Sequence, residues 1–253
     1  MAGMTDDLFR QDAYLRECSA HITAVTEAGI VLDRTVFYPL GGGQAGDSGV
    51  LVLADGTKIS ILDTRKGKAE EGNATNNIVH VPAPGQEALL AALAPGTTVT
   101  ARIDWERRHR MMRLHTTSHL LCHVVPQLVN GCSITPDYAR LDFAMTDPLD
   151  KEQLTAAIAA MVAAAHPLTV ASISDEELDA NPALVKSMSV QPPRGTGRIR
   201  TIRIGGEGDA PLIDLQPCGG THVANTAEIG AIVVTKIEKK SATTRRVVLG
   251  FVP

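Results

Sequence analysis

Asp104-Trp-Glu-Arg-Arg-His-Arg-Met-Met-Arg-Leu-His-Thr-Thr-Ser-His-Leu-Leu-Cys-His-Val-Val-Pro-Gln-Leu-Val129 is the stretch at which the chain changes its period. Met111, Met112, Leu114, Leu120, Leu121, Val124, Val125 and Leu128 recur at helical spacing from Arg107 to Val129, interrupted only by Pro126. Upstream the apolar residues fall in short β-type runs: His21-Ile-Thr-Ala-Val-Thr26, Gly29-Ile-Val-Leu-Asp33, Gly49-Val-Leu-Val-Leu-Ala54 and Lys58-Ile-Ser-Ile-Leu-Asp63, with a hairpin turn at Asp55-Gly56. Ile78–Val81 and Thr97–Ile103 predict a further strand pair, and the polar segment Lys66–Asn77 reads as an exposed loop. Residues 1–103 are therefore expected to form a small antiparallel barrel or sandwich, and residues 104–253 a second domain.

Downstream, Asp150 is a suitable N-cap for a helix over Lys151–Ala165, stopped by Pro167. Ser174 with Glu177 three residues later makes a capping box. Strands are expected at Ile199–Ile204, Ile232–Ile237 and Val247–Val248, so helices would lie on one side of an antiparallel sheet, the α+β class. The first dozen residues carry no interpretable pattern, which leaves disorder as the expectation there.

Composition narrows the setting. A chain of 253 residues buries one large core or two modest ones, and with 3% aromatics that core must rest on Val, Ile, Leu and Ala. Four irregularly spaced cysteines give no disulfide framework, the N-terminus lacks a secretory profile, and no apolar run reaches membrane length. A reduced cytoplasmic protein is expected. Net charge is −4, yet from Lys186 onward there are ten Lys/Arg against five Asp/Glu, and before it fourteen against twenty-three. A basic C-terminal part on an acidic chain allows local phosphate contact, with a plain solvated surface as the equal alternative.

Two cassettes carry the chemistry. His115-Thr-Thr-Ser-His119 and Cys218-Gly-Gly-Thr-His222 each place two metal-capable side chains four positions apart, an offset that on a helix projects both from one face. One Cys and three His suit one tetrahedral zinc ion per chain, and the fold must bring the cassettes together across a hundred residues. His123 continues the first face but is set aside as a buried, hydrogen-bonded histidine, because the other four already complete the set. Thr116, Thr117 and Ser118 supply no carboxylate, which excludes a zinc-protease helix and leaves hydrolysis of an activated bond such as an ester open. Gly41-Gly42-Gly43-Gln44 lacks the following Lys-Ser/Thr of a nucleotide loop. On its own it is a plain loop, or a place where backbone approaches a ligand.

Together, Phe37-Tyr-Pro-Leu-Gly-Gly-Gly-Gln-Ala-Gly-Asp-Ser-Gly49, Met112-Arg-Leu-His-Thr-Thr-Ser-His-Leu-Leu121, Arg140-Leu-Asp-Phe143 and Asp214-Leu-Gln-Pro-Cys-Gly-Gly-Thr-His-Val-Ala-Asn-Thr226 resemble the editing region of alanyl-tRNA synthetase. They equally resemble its free-standing relatives, the alanyl-tRNA editing proteins, over most of the chain. The resemblance implies a barrel like those of translation factors, carrying the glycine-rich motif, then an α+β editing domain shared with threonyl-tRNA synthetase. With no room for an aminoacylation domain and nothing like an ATP-binding core, the free-standing, intermediate-length form is the one implied.

By that resemblance the protein hydrolyses mischarged alanine tRNA in trans, chiefly the seryl ester and also the glycyl ester, with His115, His119, Cys218 and His222 matching the family's zinc ligands. Such a site removes errors that an alanine pocket cannot reject by binding alone. No catalytic side chain is assigned beyond the zinc site and an ordered water. Gly41, Gly42, Gly43 and Gln44 would line the substrate pocket from the first domain, with Ser133 or Thr135 reading the seryl hydroxyl. Arg194, Arg198, Arg200, Arg203, Lys239, Lys240, Arg245 and Arg246 are the candidate tRNA phosphate contacts. No membrane and no obligate protein partner are expected. The competing reading is a non-catalytic tRNA-binding module with a structural zinc; a third is hydrolysis of another acyl ester.

Overall fold

The computed structural model describes residues 4–67, 77–192, 197–206, 208 and 210–252. By internal packing the chain divides into two compact units, Met1–Gly41 with Ala45–His109, and Gly42–Gln44 with Arg110–Pro253. The short β1 (Asp6–Asp7) of the first unit is followed by β2 (Glu17–Thr26), β3 (Gly29–Leu32), β4 (Arg34–Thr35), β5 (Gly49–Leu53), β6 (Lys58–Lys66), β7 (Ile78–Pro82), helix α1 (Glu87–Ala91) and β8 (Thr98–Ile103). Six of these strands close an antiparallel barrel in the order β2-β3-β7-β6-β5-β8, while β1 pairs with β4 in parallel. Every expected strand of this region is present. The reason is a strict period of two: Ala20 and Ile22, Ile59 and Ile61, Val99 and Ala101 alternate into one buried core. Truncating one of these isoleucines to Ala would cost about 2–5 kcal/mol.

Two features of this unit differ from expectation. Residues 4–12 of the N-terminal dozen pack onto the unit, Phe9 being buried with its ring 5.3 Å from that of Tyr38 and Thr5 donating to Leu32 O. The loop expected over Lys66–Asn77 begins inside β6, and its residues 68–76 lie outside the described residues. The end of the glycine-rich motif is also structural. Asp47 accepts from Tyr38 N at 2.7 Å and pairs with Arg108, both side chains fully buried. Arg108 satisfies its remaining donors on Val36 O and Ala13 O. Removing one member of such a pair strands a buried charge, at about 3–5 kcal/mol.

The chain continues with α2 (Trp105–Val124), β9 (Val129–Ile134), β10 (Tyr138–Ala144), α3 (Lys151–Ala163), β11 (Leu168–Ile173), α4 (Asp175–Ala180), β12 (Ile199–Gly205), β13 (Leu212–Pro217), β14 (Ile232–Ser241) and β15 (Thr244–Phe251). A four-stranded antiparallel sheet runs β14-β15-β10-β9 and a three-stranded one β11-β12-β13, so the chain is α+β. Helix α2 ends before Pro126 rather than running through to Val129, since the residue ahead of proline is driven out of the helical region. Asp150 caps α3 by accepting from Gln153 N, and both bonds of the Ser174/Glu177 capping box are formed. Leu154, Ile158 and Met161 are the buried face of α3, whose Thr155 hydroxyl accepts from Val234 N of β14. No helix among the described residues is long and apolar enough to cross a membrane.

Candidate metal centre

Helix α2 presents His115 and His119 from one face, with the intervening Thr116, Thr117 and Ser118 also buried. Thr117 and Ser118 turn their hydroxyls back onto carbonyls of their own helix, Arg113 O and Leu114 O. The second cassette is not helical: it follows β13 as a loop, so the four-residue spacing of Cys218 and His222 does not come from a helical turn. Gly219-Gly220 explains the departure. A Cβ on Gly220 would collide with the His115 ring and lie 2.9 Å from Gln44 Oε1, so the loop passes where only glycine fits. Arg200 of β12 fastens this loop by donating to Cys218 O at 2.6 Å and Gly220 O at 3.0 Å.

The fold brings His115, His119, Cys218 and His222 together, with their ligand atoms all within 4.8 Å of one another. Cys218 Sγ lies 3.5 Å from His115 Nε2 and 3.3 Å from His222 Nε2. Each imidazole is oriented from its other nitrogen. His115 Nδ1 donates to Gln44 Oε1 at 2.8 Å, His119 Nδ1 donates to Asp214 Oδ2 at 2.7 Å, and His222 Nδ1 meets Thr116 Oγ1 at 3.1 Å. Pinning Nδ1 fixes the tautomer and frees Nε2 for an ion. Gly220 N donates to the sulfur at 3.4 Å. His123 is exposed, not buried as expected, and has no part in the cluster.

The electrostatics suit a cation. Burial opposes ionisation of Cys218, but the His115 and His222 charges and the hydrogen bonds from His115 and His119 outweigh it and hold the thiol well below its ordinary range. Burial and the neighbouring His115 charge hold His222 well below its usual value. His119 is shifted the other way, to about 9: burial is outweighed by its bonds to Asp214 and Cys218. Burial is likewise outweighed at Asp214, held at about 2 by the His119 hydrogen bond and the charges of His119 and Lys186. A thiolate, pre-set imidazoles and a nearby carboxylate are the donor chemistry of a tetrahedral N/S site, and an arriving cation would displace the remaining proton.

The glycine-rich loop was expected as the barrel's contribution; its Gly42, Gly43 and Gln44 instead group with the second unit. Gly43 O accepts from Ile134 N of β9 at 2.8 Å, and Gln44, fully buried, accepts from Thr221 N at 3.1 Å and donates to Thr221 Oγ1 at 2.8 Å. At Gly43, φ is +85° and a Cβ would strike Cys132. Gln44 thus supports His115, a role its place in a glycine run did not disclose.

The remaining expected residues are dispersed. Thr135 spends its hydroxyl in the β9–β10 turn, donating to Tyr138 O and accepting from Asp137 N and Tyr138 N. Ser133 follows Cys132 in β9, so strand alternation turns it to the face opposite the Cys132 thiol, which donates to Gly42 O. Several of the basic residues have internal partners. Arg203 donates to Gly205 O and Gly206 O, Arg198 to Ser172 Oγ, and Arg246 makes two bonds to Asp142 at 2.7 and 2.8 Å. Arg245 is buried and donates to Ser241 O, Thr244 O and Thr146 O. Lys239 and Lys240 are exposed, and Arg194 lies outside the described residues. Asp214, Lys186, Gln44 and Arg200 flank the cluster, a placement that spacing alone did not disclose.

Comparison with known proteins fits this geometry. A family described as threonyl and alanyl tRNA synthetase second additional domain matches residues 199–248, and one described as tRNA synthetases class II (A) matches residues 10–107, which include the barrel strands. The alanyl-tRNA editing protein AlaX-M of Saccharolobus solfataricus is 33% identical over 96% of this chain and 98% of its own length. That of Methanosarcina mazei is 31% identical over 96% and 95%. The alanine–tRNA ligase of Metallosphaera sedula is 34% identical over 93% of this chain but only 25% of its own length. With similarity to these relatives over nearly the whole of both chains, this chain belongs to the AlaX-M family of alanyl-tRNA editing proteins.

Proposed function

We propose that the protein is an aminoacyl-tRNA deacylase that hydrolyses the ester of mischarged alanine tRNA, chiefly seryl and also glycyl, with one zinc ion held by His115, His119, Cys218 and His222. The observation that carries this reading is the convergence of those four donors within 4.8 Å, in a chain similar along its length to alanyl-tRNA editing proteins. In this reading residues 1–103 are the barrel domain, residues 104–253 the editing domain, and the setting is the cytoplasm.

Zinc, when bound there, would supply a Lewis-acidic anchor for the substrate beside the scissile ester. The chain's own residues do the rest. Gln44, Asp214 and Thr116 hold the three imidazoles in register, and Gly42–Gly43 leave backbone uncovered beside them. An ordered water attacks the ester carbonyl and its oxygen bonds to the acyl carbon; the bond between the acyl carbon and the ribose oxygen breaks, one water proton completes the ribose hydroxyl, and the amino acid leaves as its carboxylate with the other proton released to solvent. Preference for the seryl ester over the alanyl and glycyl ones follows from hydrogen bonding to the seryl hydroxyl, since polar groups are left unpaired when an acyl group without it enters. Ser133→Ala and Thr135→Val separate the two proposed readers, the second being the one already tied into its turn.

The test is to incubate the protein with seryl- and alanyl-charged alanine tRNA and follow loss of ester. Faster loss of serine than in buffer, with alanine spared, is expected; no acceleration for serine would sink the proposal. One observation favours the rival, a tRNA-binding module with structural zinc: Asp214, the buried carboxylate beside the cluster, is engaged by His119, Lys186 and Gln216 and is not placed as a general base. That reading expects tRNA binding with no deacylation.

A further inference from the structure

Asp214 is a fully buried carboxylate on β13, and its oxygens are divided between neighbours with distinct tasks. Oδ2 accepts from His119 Nδ1 at 2.7 Å and from Gln216 Nε2 at 2.8 Å; Oδ1 is paired with Lys186 Nζ. Lys186 itself is three-quarters buried and belongs to no helix or strand. Its backbone is nevertheless fixed on both sides of the side chain. Val129 N donates to Lys186 O at 2.8 Å, Met188 N donates to Val129 O at 2.9 Å, and Ser187 bridges Val129 in parallel. The segment is thus stitched to the start of β9, and its ammonium group reaches the one carboxylate that orients His119.

We propose that Lys186 is a positioning residue for the metal centre, acting through Asp214 on His119. The inference rests on the zinc reading above. A buried carboxylate that accepts from an imidazole strengthens that imidazole as a ligand, but only if it stays ionised and aimed. Gln216 supplies one neutral donor; Lys186 supplies the countercharge on the other oxygen. With Lys186 gone, Oδ1 loses its charged partner, and the buried carboxylate must rotate or acquire water. Each outcome loosens the His119 ring. Among the described residues the Lys186 ammonium pairs with Asp214 and bonds to none of the four donor residues, so its effect is transmitted through Asp214.

The experiment measures zinc affinity by competition with a chromophoric chelator in the wild-type chain, Lys186→Met, Asp214→Asn, the double variant, and Cys218→Ala. Lys186→Met should weaken zinc binding about 10–100-fold, the usual range for a partner of a metal ligand. Lys186→Arg should recover part of it. The double variant should be no weaker than the worse single variant, because residues acting in series are non-additive. Independent, additive losses, or unchanged affinity in Lys186→Met, would overturn the proposal. Thermal melts of the metal-free chains identify a folding defect. If Lys186→Met does not fold, Lys186→Gln takes its place in the cycle and is judged by the same criterion. Absence of stoichiometric zinc from the wild-type chain, or zinc retained by Cys218→Ala, would instead overturn the zinc reading.

Discussion

Gln44 Oε1 receives both the His115 Nδ1 proton, at 2.8 Å, and the Thr221 backbone N–H, at 3.1 Å. One amide oxygen thereby couples the helical cassette to the loop cassette, whose Thr221 lies 177 residues beyond Gln44. Gln44→Ala leaves these buried donors, and Thr221 Oγ1, without their partner, at about 1–3 kcal/mol for each unsatisfied group. Zinc affinity is expected to fall about tenfold or more. Chelator competition and a thermal melt read the two effects separately, and unchanged affinity would refute the coupling.

Gly220→Ala should be disproportionate to its size. Its new Cβ would occupy the space of the His115 ring, whereas at Gly131, a control in β9, the nearest atom is the Asp142 carboxylate at 4.0 Å. Gly220→Ala is expected to lose most of its metal while Gly131→Ala keeps one ion per chain, as read by elemental analysis of the purified proteins.

His80 gives the barrel a pH dependence whose sign is fixed. It is buried, with Nδ1 donating to Ile30 O and Nε2 meeting Thr35 Oγ1, and burial lowers its pKa to about 4. The unfolded chain takes up this proton at about 6.5. Its contribution is therefore fully kept above pH 6.5 and lost as pH falls towards 4, at most about 3 kcal/mol. Urea unfolding followed through Trp105, the single tryptophan and a neighbour of the barrel core, should show a flatter acid limb in His80→Gln than in wild type.

The basic residues should separate into two groups. Lys239→Ala and Lys240→Ala are expected to reduce the salt dependence of tRNA binding by about one unit of slope per lost phosphate contact, with stability unchanged. Arg245→Ala should instead lower the melting temperature, since the buried guanidinium serves three carbonyls. A salt titration with tRNA and a melt of each variant decide it.

The barrel and the helical face of His115 and His119 were legible because both are periodic: alternation every two residues, then an apolar stripe from Met111 to Val125. Strands β9, β10, β11 and β13 were not. Val-Asn-Gly-Cys-Ser-Ile has too few apolar residues to show a face, and β11 is largely exposed, so burial left no alternating imprint. The four clustered donors were legible as residue types, but the loop conformation of Cys218–His222 was not, because a four-residue spacing implies a shared face only when the backbone is helical. Gln44 and Lys186 act through contacts between segments far apart in sequence, which no local pattern records.

Cys218 and His115 stand 103 residues apart, and one belongs to a loop, the other to a helix. An unfolded chain cannot offer the four donors at once, so an ion bound only by the native state adds about 2.7 kcal/mol when free metal is a hundredfold above its dissociation constant. The centre is then a clasp as well as a chemical site. A metal taken up there would make the amount of folded protein depend on metal supply.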